Sequence, residues 1–390
     1  MPRLVWVLFA GTLVNRFGSF VFVFLALYLN GQGYSAARIG LAMGAYGVGA
    51  IGASLVGGWL ADRFGRRNSI VLSMVLSAMA MLGLSQAEGY GLLVFLTGLA
   101  GFCAEMYRPA ATALIADVTT PAQRVTAFAV YRLAINLGFA IGPAVGGLLA
   151  HRSFFLLFVG DAITSLVYAG IALAMIPNRV VEHHPPGERT SALRAIVHDP
   201  AFLAYLGATL MASMVFMQHV SSYPLQMDAY GHSSRVFGLL ISLNGLLICL
   251  VELPLTTFTR RRSARAVMMT GMIVFGAGFV ATGFVSTIPL LAAAVVVWTV
   301  GEMFYFPVAA AHIAAVSPPD MRGRYQGAWG IAWGLGAVVG PVVGTMVFAW
   351  NPRALWIACG VCALAGAPLL IPGTRRRAGD VGAGSGPAAG

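Results

Sequence analysis

Long apolar runs recur along this chain from end to end and constrain its fold more than any other feature. A helix needs about 20 mostly apolar residues to cross the hydrocarbon core of a bilayer. Short breaks with polar residues, glycine or proline divide the sequence into twelve such runs. They cover 4–30, 37–61, 68–87, 90–116, 125–150, 153–176, 201–229, 235–258, 266–285, 289–316, 325–350 and 354–372. The pattern predicts an all-α membrane protein with twelve transmembrane helices.

The composition excludes the main soluble classes of protein. Of the 390 residues, 58% are hydrophobic and 9% are charged, whereas a soluble domain carries about 25% charged residues. So few charges cannot cover the surface of a soluble enzyme, and the same values exclude a disordered chain and a nucleic-acid module. We expect a lipid bilayer as the surroundings and no nucleic-acid partner.

The net charge of +11 follows an orientation pattern. All 24 basic residues are arginines, and short loops rich in arginine stay on the cytoplasmic side of a membrane. With both termini in the cytoplasm, 17 arginines lie in inside segments and 4 lie outside, namely Arg38, Arg152, Arg235 and Arg353. The sequence therefore predicts a multi-pass protein with both termini cytoplasmic.

One long internal polar segment divides the chain into two halves. We predict an N-terminal six-helix bundle over 1–176, a cytoplasmic central loop over 177–200 and a C-terminal six-helix bundle over 201–372. The Gly/Ala-rich tail, 373–390, is predicted to be disordered and cytoplasmic.

A sequence repeat supports the two halves. Pro109 in the fourth predicted helix is matched by Pro307 in the tenth, and Gly142-Pro143 in the fifth by Gly340-Pro341 in the eleventh. Two parallel six-helix halves with a site at their interface are the organisation of a transporter whose halves rock around a central site.

The loop between the second and third predicted helices carries a dense motif. Its candidate gating residues are Gly58, Asp62, Arg63, Gly65, Arg66 and Arg67. Gly58 permits a close helix approach, and Gly65 allows a tight reversal of the chain. Asp62 is a candidate cap for the third helix and a partner for nearby arginines. The alternative is that the arginines only anchor the loop on the cytoplasmic side.

The fifth predicted helix carries a candidate hinge. Its residues are Gly138, Gly142, Pro143, Gly146 and Gly147. Glycines four residues apart form a smooth stripe along which two backbones can approach each other. Pro143 interrupts the hydrogen-bond ladder and permits a bend.

Ionisable side chains inside the predicted spans are candidate functional residues by default. They are Arg16, Glu105, Arg108, Arg132, Asp161, His219, Glu252, Glu302 and His312. Glu105 and Glu302 occupy equivalent positions in the two halves, and Arg108 follows Glu105 by one turn on the same face. Two interpretations of Glu105 stay open. It is either a proton carrier whose pKa is set by burial against Arg16 and Arg108, or a permanently ionised structural partner of these arginines.

Other ionisable residues have simpler expected roles. Glu302 has no arginine at the next turn and is a second candidate proton carrier. Asp161 is expected to pair with Arg16 or Arg132. Glu252 is expected to act as a gate or anchor near 260–262.

These motifs carry a resemblance to a known family. The segment Gly58-Trp59-Leu60-Ala61-Asp62-Arg63-Phe64-Gly65-Arg66-Arg67 resembles the loop signature of the major facilitator superfamily. The fifth helix resembles that of its drug/proton antiporters. Asn15-Arg16 and Glu105-x-x-Arg108-Pro109 resemble its bacterial multidrug-efflux branch. The resemblance spans all twelve predicted helices.

The resemblance implies a fold, a location and a conformational device. The fold is the major facilitator fold of two pseudo-symmetric six-helix bundles, in the bacterial inner membrane. The loop motif would form a breakable charge latch between the halves that favours the outward-open state.

The chain departs from the antiporter pattern at one position. Many antiporters of the superfamily carry an arginine early in the fourth helix, where this chain has Thr97. Arg108 and Arg16 are the candidate substitutes. The eleventh helix also repeats the fifth-helix pattern, so general hinge architecture stays open as an alternative to an antiport-specific role.

Together these features predict a proton-linked exporter of a small hydrophobic or amphipathic compound, a drug or a metabolite. It would work as a monomer by alternating access, without a cofactor or metal, and its partners would be the substrate and protons. The first, fourth, seventh and tenth helices would line its cavity. They would offer Arg16, Phe20, Glu105, Tyr107, His219, Tyr223, Glu302 and Phe304.

Two alternatives remain. An importer or uniporter would share the same fold. A membrane-embedded enzyme or sensor is disfavoured, because no nucleophile with its base, no metal-ligand cluster and no signalling domain is evident in the sequence.

Overall fold

The protein is seen in a computed structural model that describes residues 1–177, 198–259, 261–317 and 322–373. These residues form twelve helical spans long and apolar enough to cross a membrane. The first six are α1 (Arg3–Gly31), α2 (Ala36–Phe64), α3 (Arg66–Ser85), α4 (Tyr90–Val118), α5 (Pro121–Arg152) and α6 (Phe154–Met175). The second six are α7 (Pro200–Ala229), α8 (Ser234–Thr259), α9 (Ala264–Thr282), α10 (Ile288–Val316), α11 (Arg322–Trp350) and α12 (Pro352–Gly373).

The predicted all-α fold with twelve spans is confirmed. Most of the predicted central loop and of the predicted tail, 178–197 and 374–390, lies outside the described residues.

Three spans are interrupted near their middle, which the apolar runs did not predict. α1 breaks at Ser19, α4 at Met106 and α7 at Met217. At Ser19 the backbone leaves the helical region, and the Ser19 hydroxyl donates to the carbonyl oxygen of Asn15 at 2.9 Å. In α4, Pro109 lacks the N–H that would bond to the carbonyl four residues earlier, which weakens the helix beside its break.

The two halves meet mainly along three pairs of helices, α2 with α11, α5 with α8, and the second piece of α1 with the second piece of α7. Glycines bring the first two pairs close. A Cβ on Gly47 would lie 3.0 Å from the carbonyl oxygen of Ala337, and one on Gly245 would lie 2.6 Å from the Cα of Ala140. The α2–α11 and α5–α8 contacts are equivalent under the sequence repeat, so each half offers the same surfaces to the other.

The contact between the halves differs at the two ends of the molecule. At the end with the α1–α2 and α7–α8 loops, one hydrophobic core includes side chains of both halves, and the Phe24 and Phe237 rings are 5.3 Å apart. Asn30 also donates to the carboxylate of Asp228 at 2.8 Å there. At the end with the N terminus, each half has separate hydrophobic cores. The halves are joined at the first end and part at the second.

The glycine pattern of α5 packs this helix against α1. The stripe that faces α1 consists of Gly138, Gly142 and Gly146, whereas Gly147 faces α8. In α11 the equivalent stripe faces α7 and consists of Gly336, Gly340 and Gly344. The pattern therefore serves the same close packing in both halves.

We expect Gly142→Ala to lower the free energy of unfolding by about 1–3 kcal/mol, the usual cost of overpacking. Its Cβ would lie 2.7 Å from the carbonyl oxygen of Phe17, so the α1 backbone must shift. Gly170→Ala in α6 is the matched control, because nothing lies within 4 Å of a Cβ there. Thermal unfolding in detergent measures both variants, and equal melting temperatures would contradict a close α1–α5 approach.

Candidate functional site

A cavity of about 310 Å³ lies between the two halves, which is within the size range of small-molecule sites. Side chains of α1, α2, α4 and α5 line it from the first half, and side chains of α7, α8, α10 and α11 from the second. The polar lining includes Arg16, Ser19, Tyr46, Glu105, Arg108, Asn136, His219, Asn244 and Glu302, and the aromatic lining Phe22, Phe139, Phe216 and Trp333.

The first-half wall is built around one carboxylate with two guanidinium partners. Arg16 Nη2 lies 3.0 Å from Glu105 Oε1, and Arg108 Nη1 lies 2.9 Å from Glu105 Oε2. Arg16 reaches this point from α1 just before its break, and Glu105 precedes the break of α4. The Arg16 side chain is 7% exposed and that of Arg108 is 49% exposed. Arg108 therefore lies toward the end at which the halves part.

The second-half wall holds a carboxylate in a different environment. Asn244 Nδ2 of α8 donates to Glu302 Oε2 of α10 at 2.8 Å and to Thr299 Oγ1 at 3.0 Å. Within the described part of the chain, Glu302 makes no ion pair. The two pseudo-symmetric glutamates thus differ, since one is doubly paired with arginine and the other is held by an amide.

An ion pair joins the two halves beside the cavity. Arg132 Nη2 of α5 contacts Glu252 Oε1 of α8. The α5–α8 packing brings Arg132 against Glu252. The expected role of Glu252 as a gate or anchor near 260–262 stays a prediction, and residue 260 lies outside the described residues. Asp161, expected to pair with Arg16 or Arg132, makes no direct ion pair among the described residues.

Asp161 lies outside the cavity lining and is buried in α6. The backbone N–H of Val21 is within hydrogen-bonding reach of its carboxylate. This N–H belongs to the first turn after the Ser19 break, where helical N–H groups lack intrahelical partners. Asp161 therefore meets the start of the second piece of α1.

His219 does line the cavity, with Nδ1 against the carbonyl oxygen of Phe216.

Two of the gating-loop residues, Asp62 and Arg66, form ion pairs inside the first half. Arg66 Nη1 lies 2.6 Å from Asp62 Oδ1, and Arg66 Nε lies 3.3 Å from Asp117 Oδ2 at the end of α4. The predicted helix cap by Asp62 is wrong, since the N-cap of α3 is Gly65, with φ of +85° and no side-chain cap. Nothing lies within 4 Å of a Cβ built on Gly58, so its predicted close helix contact is absent in this conformation.

The other two arginines of this loop have local partners. The Arg63 guanidinium lies 5.6 Å from the ring centroid of Trp59. Arg67 Nε donates to Asn68 Oδ1 at 3.3 Å.

Several expected lining residues lie elsewhere. The cavity lining does not include Phe20, Tyr107, Tyr223 or Phe304, and the first three are buried in the helix packing. The prediction that four helices line the cavity is too narrow, because α2, α5, α8 and α11 contribute as well. The sequence did contain a signal that α5 and α8 line the cavity, because each carries a polar residue, Asn136 or Asn244, within an apolar run.

Comparison with known proteins decides the family. A family model described as Major Facilitator Superfamily matches residues 8–233 and 220–388. The chain belongs to this superfamily. It is 27% identical to the MFS-type transporter YqjV of Bacillus subtilis over 83% of this chain and 82% of that protein. It is 28% identical to a Na(+), Li(+), K(+)/H(+) antiporter of Planococcus maritimus, over 79% of this chain and 80% of that protein.

More distant relatives agree with this family. The chain is 24% identical to the multidrug resistance protein MdtH of Enterobacter sp. (strain 638), over 77% of this chain and 75% of that protein. Its fold resembles that of the nucleoside transporter NupG, with a TM-score of 0.82 and 14% identity over 94% of this chain and 98% of that one. This major facilitator protein is therefore a transporter and not an enzyme, a multi-pass protein of the bacterial inner membrane.

Proposed function

We propose that this major facilitator protein exports a small amphipathic compound in exchange for protons, by alternating access of the central cavity. The observation that carries the proposal is Glu302, a carboxylate in the cavity without an ion pair among the described residues. Intramembrane carboxylates of this kind serve as proton relays in transporters. The relatives named for multidrug resistance and for cation/proton antiport support an exchange mechanism.

The roles of the two glutamates follow from their partners. Protonation of Glu105 would leave the buried Arg16 without its ion partner. Protonation of Glu302 disturbs only the hydrogen bond from Asn244. We therefore assign proton exchange to Glu302, and to Glu105 the positioning of the Arg16 and Arg108 side chains.

The described conformation fits the inward-open stage of this cycle. With both termini in the cytoplasm, as the arginine bias predicts, the halves part toward the cytoplasm and meet on the outer side. The ion pairs of Arg66 with Asp62 and Asp117 then lie on the cytoplasmic rim of the first half. We propose that α11 packs against the face of α2 that carries Gly58 when the halves close at this rim. The loop motif would then act as the latch between the halves.

Reconstituted vesicles of known orientation test the proposed function. We expect an acidic compartment on the non-cytoplasmic side to drive substrate into that compartment, and collapse of the pH gradient to stop it. Each vesicle batch is assayed with amphipathic drugs and, separately, with Na⁺, Li⁺ or K⁺. Accumulation at full rate without the gradient would contradict proton coupling. Accumulation toward the cytoplasmic side would favour the importer alternative, and accumulation of the ions alone would favour cation exchange.

A further inference from the structure

The two walls of the central cavity carry opposite net charge. Among the side chains that line the first-half wall, Arg16 and Arg108 share the single carboxylate of Glu105, so the lining carries one positive charge in excess. On the second-half wall, Glu302 adds a negative charge that forms no ion pair among the described residues. The Arg132–Glu252 pair is neutral as a unit and is not part of the lining. The cavity is therefore bipolar across the interface between the halves.

The positive wall still has hydrogen-bond donors to offer. Arg16 lines the cavity and contacts Glu105 Oε1 through Nη2. Arg108 is 49% exposed, and a guanidinium carries five N–H donors. A bound carboxylate would accept charge-assisted hydrogen bonds from these groups. The half-exposed guanidinium of Arg108 is therefore the group on this wall that an anion in the cavity can reach.

The space between the charged walls is aromatic. Phe22 and Tyr46 stack with ring centroids 4.3 Å apart on the first half. Phe216 and Trp333 lie 5.5 Å apart on the second half. Flat apolar groups pack well against such rings. The middle of the cavity thus suits an aromatic or similarly flat apolar group.

We propose that the substrate of this cavity is a small zwitterion with a flat apolar centre. Its anionic group binds Arg16 and Arg108, and its cationic group binds Glu302. A purely cationic compound would face the excess arginine charge, and a purely anionic one would face Glu302, so each leaves a repulsive contact that the zwitterion avoids. This assignment rests on the proposed function for the use of the cavity, but it concerns binding and does not depend on proton coupling.

Three probes with one aromatic centre test the proposal. They are para-aminomethylbenzoic acid, a zwitterion, its methyl ester, a cation, and para-methylbenzoic acid, an anion. Binding to the purified full-length protein in nanodiscs is measured by calorimetry, without any gradient. We expect the zwitterion to bind about tenfold or more tightly than either singly charged probe, which corresponds to about 1.4 kcal/mol.

Two variants assign the charged ends. Glu302→Gln should remove the preference for the zwitterion over the anion, because the zwitterion loses the partner of its cationic group and the anion no longer meets a repulsive charge. Arg108→Gln should remove the preference for the zwitterion over the ester. Retained anion binding by Glu302→Gln shows that the variant is folded. The proposal is overturned if the ester or the anion binds as tightly as the zwitterion, if the zwitterion shows no saturable binding, or if Glu302→Gln leaves the preference intact.

The outcomes also separate this proposal from the proposed function. Proton-driven export of a compound without a zwitterion preference would overturn only the substrate class. A clear zwitterion preference together with gradient-independent transport would overturn only proton coupling.

Discussion

Glu302→Gln is expected to abolish the accumulation of substrate against its own concentration gradient, while downhill exchange of substrate continues. For one proton per substrate, a gradient of one pH unit supports about a tenfold accumulation ratio, because a tenfold ratio corresponds to about 1.4 kcal/mol. A glutamine cannot take up and release a proton, so the ratio should fall to about one. The side chain keeps its size, and Asn244 can still donate to the amide oxygen at this position.

Accumulation of substrate by vesicles is measured under an imposed pH gradient. Substrate exchange is measured in parallel at equal pH on both sides and at saturating substrate. Glu88→Gln is the matched control, because it makes the same chemical change on an exposed residue between α3 and α4. The control should accumulate substrate like the unaltered protein. If Glu302→Gln still accumulates substrate under the gradient, proton exchange belongs to another group.

Glu105→Gln is expected to lower stability and to impair transport together. Removal of this carboxylate leaves Arg16, 7% exposed, without its ion partner, and removes the partner of Arg108. Loss of one member of a buried pair costs about 3–5 kcal/mol, and the half-exposed Arg108 keeps part of its hydration, so we expect about 3 kcal/mol. Thermal unfolding in detergent and substrate exchange at equal pH measure the two effects.

A second variant separates stability from function at this site. Glu105→Met combined with Arg16→Met replaces the buried pair by apolar side chains, which is often neutral or stabilising. We expect the double variant to regain most of the lost thermal stability without regaining transport. Normal melting and normal exchange by Glu105→Gln would show that the carboxylate is dispensable for both.

The architecture could be predicted because the bilayer imposes local rules on the sequence. Each span must satisfy its own backbone hydrogen bonds and present an apolar surface, so the helices are visible as runs of apolar residues. The breaks at Ser19, Met106 and Met217 were not visible, because each keeps the apolar character of its span. The duplicated glycine patterns predicted close packing, and the structure assigns α1 and α7 as the partners.

The candidate site was predicted in part. Arg16, Glu105, Arg108, His219 and Glu302 stood out as ionisable residues in apolar helices, and all of them line the cavity. Asp161 stood out for the same reason but lies outside the lining. A charged residue inside an apolar span shows that the protein must supply a partner for its charge. It does not show where the side chain points, because that direction depends on the rotation of the helix. Apolar runs of this length do not reveal the rotation.

The sequence by itself determined the twelve spans, the two related halves and the small set of charges held inside the membrane, because these depend on the local fit of each segment to a bilayer. Only the tertiary structure decided how those charges are paired. Arg16 with Glu105, Arg132 with Glu252 and Asn244 with Glu302 are each far apart in the chain and meet only when the helices pack. The opposite charges of the two cavity walls arise from that packing, because one glutamate meets two arginines and its counterpart meets an amide.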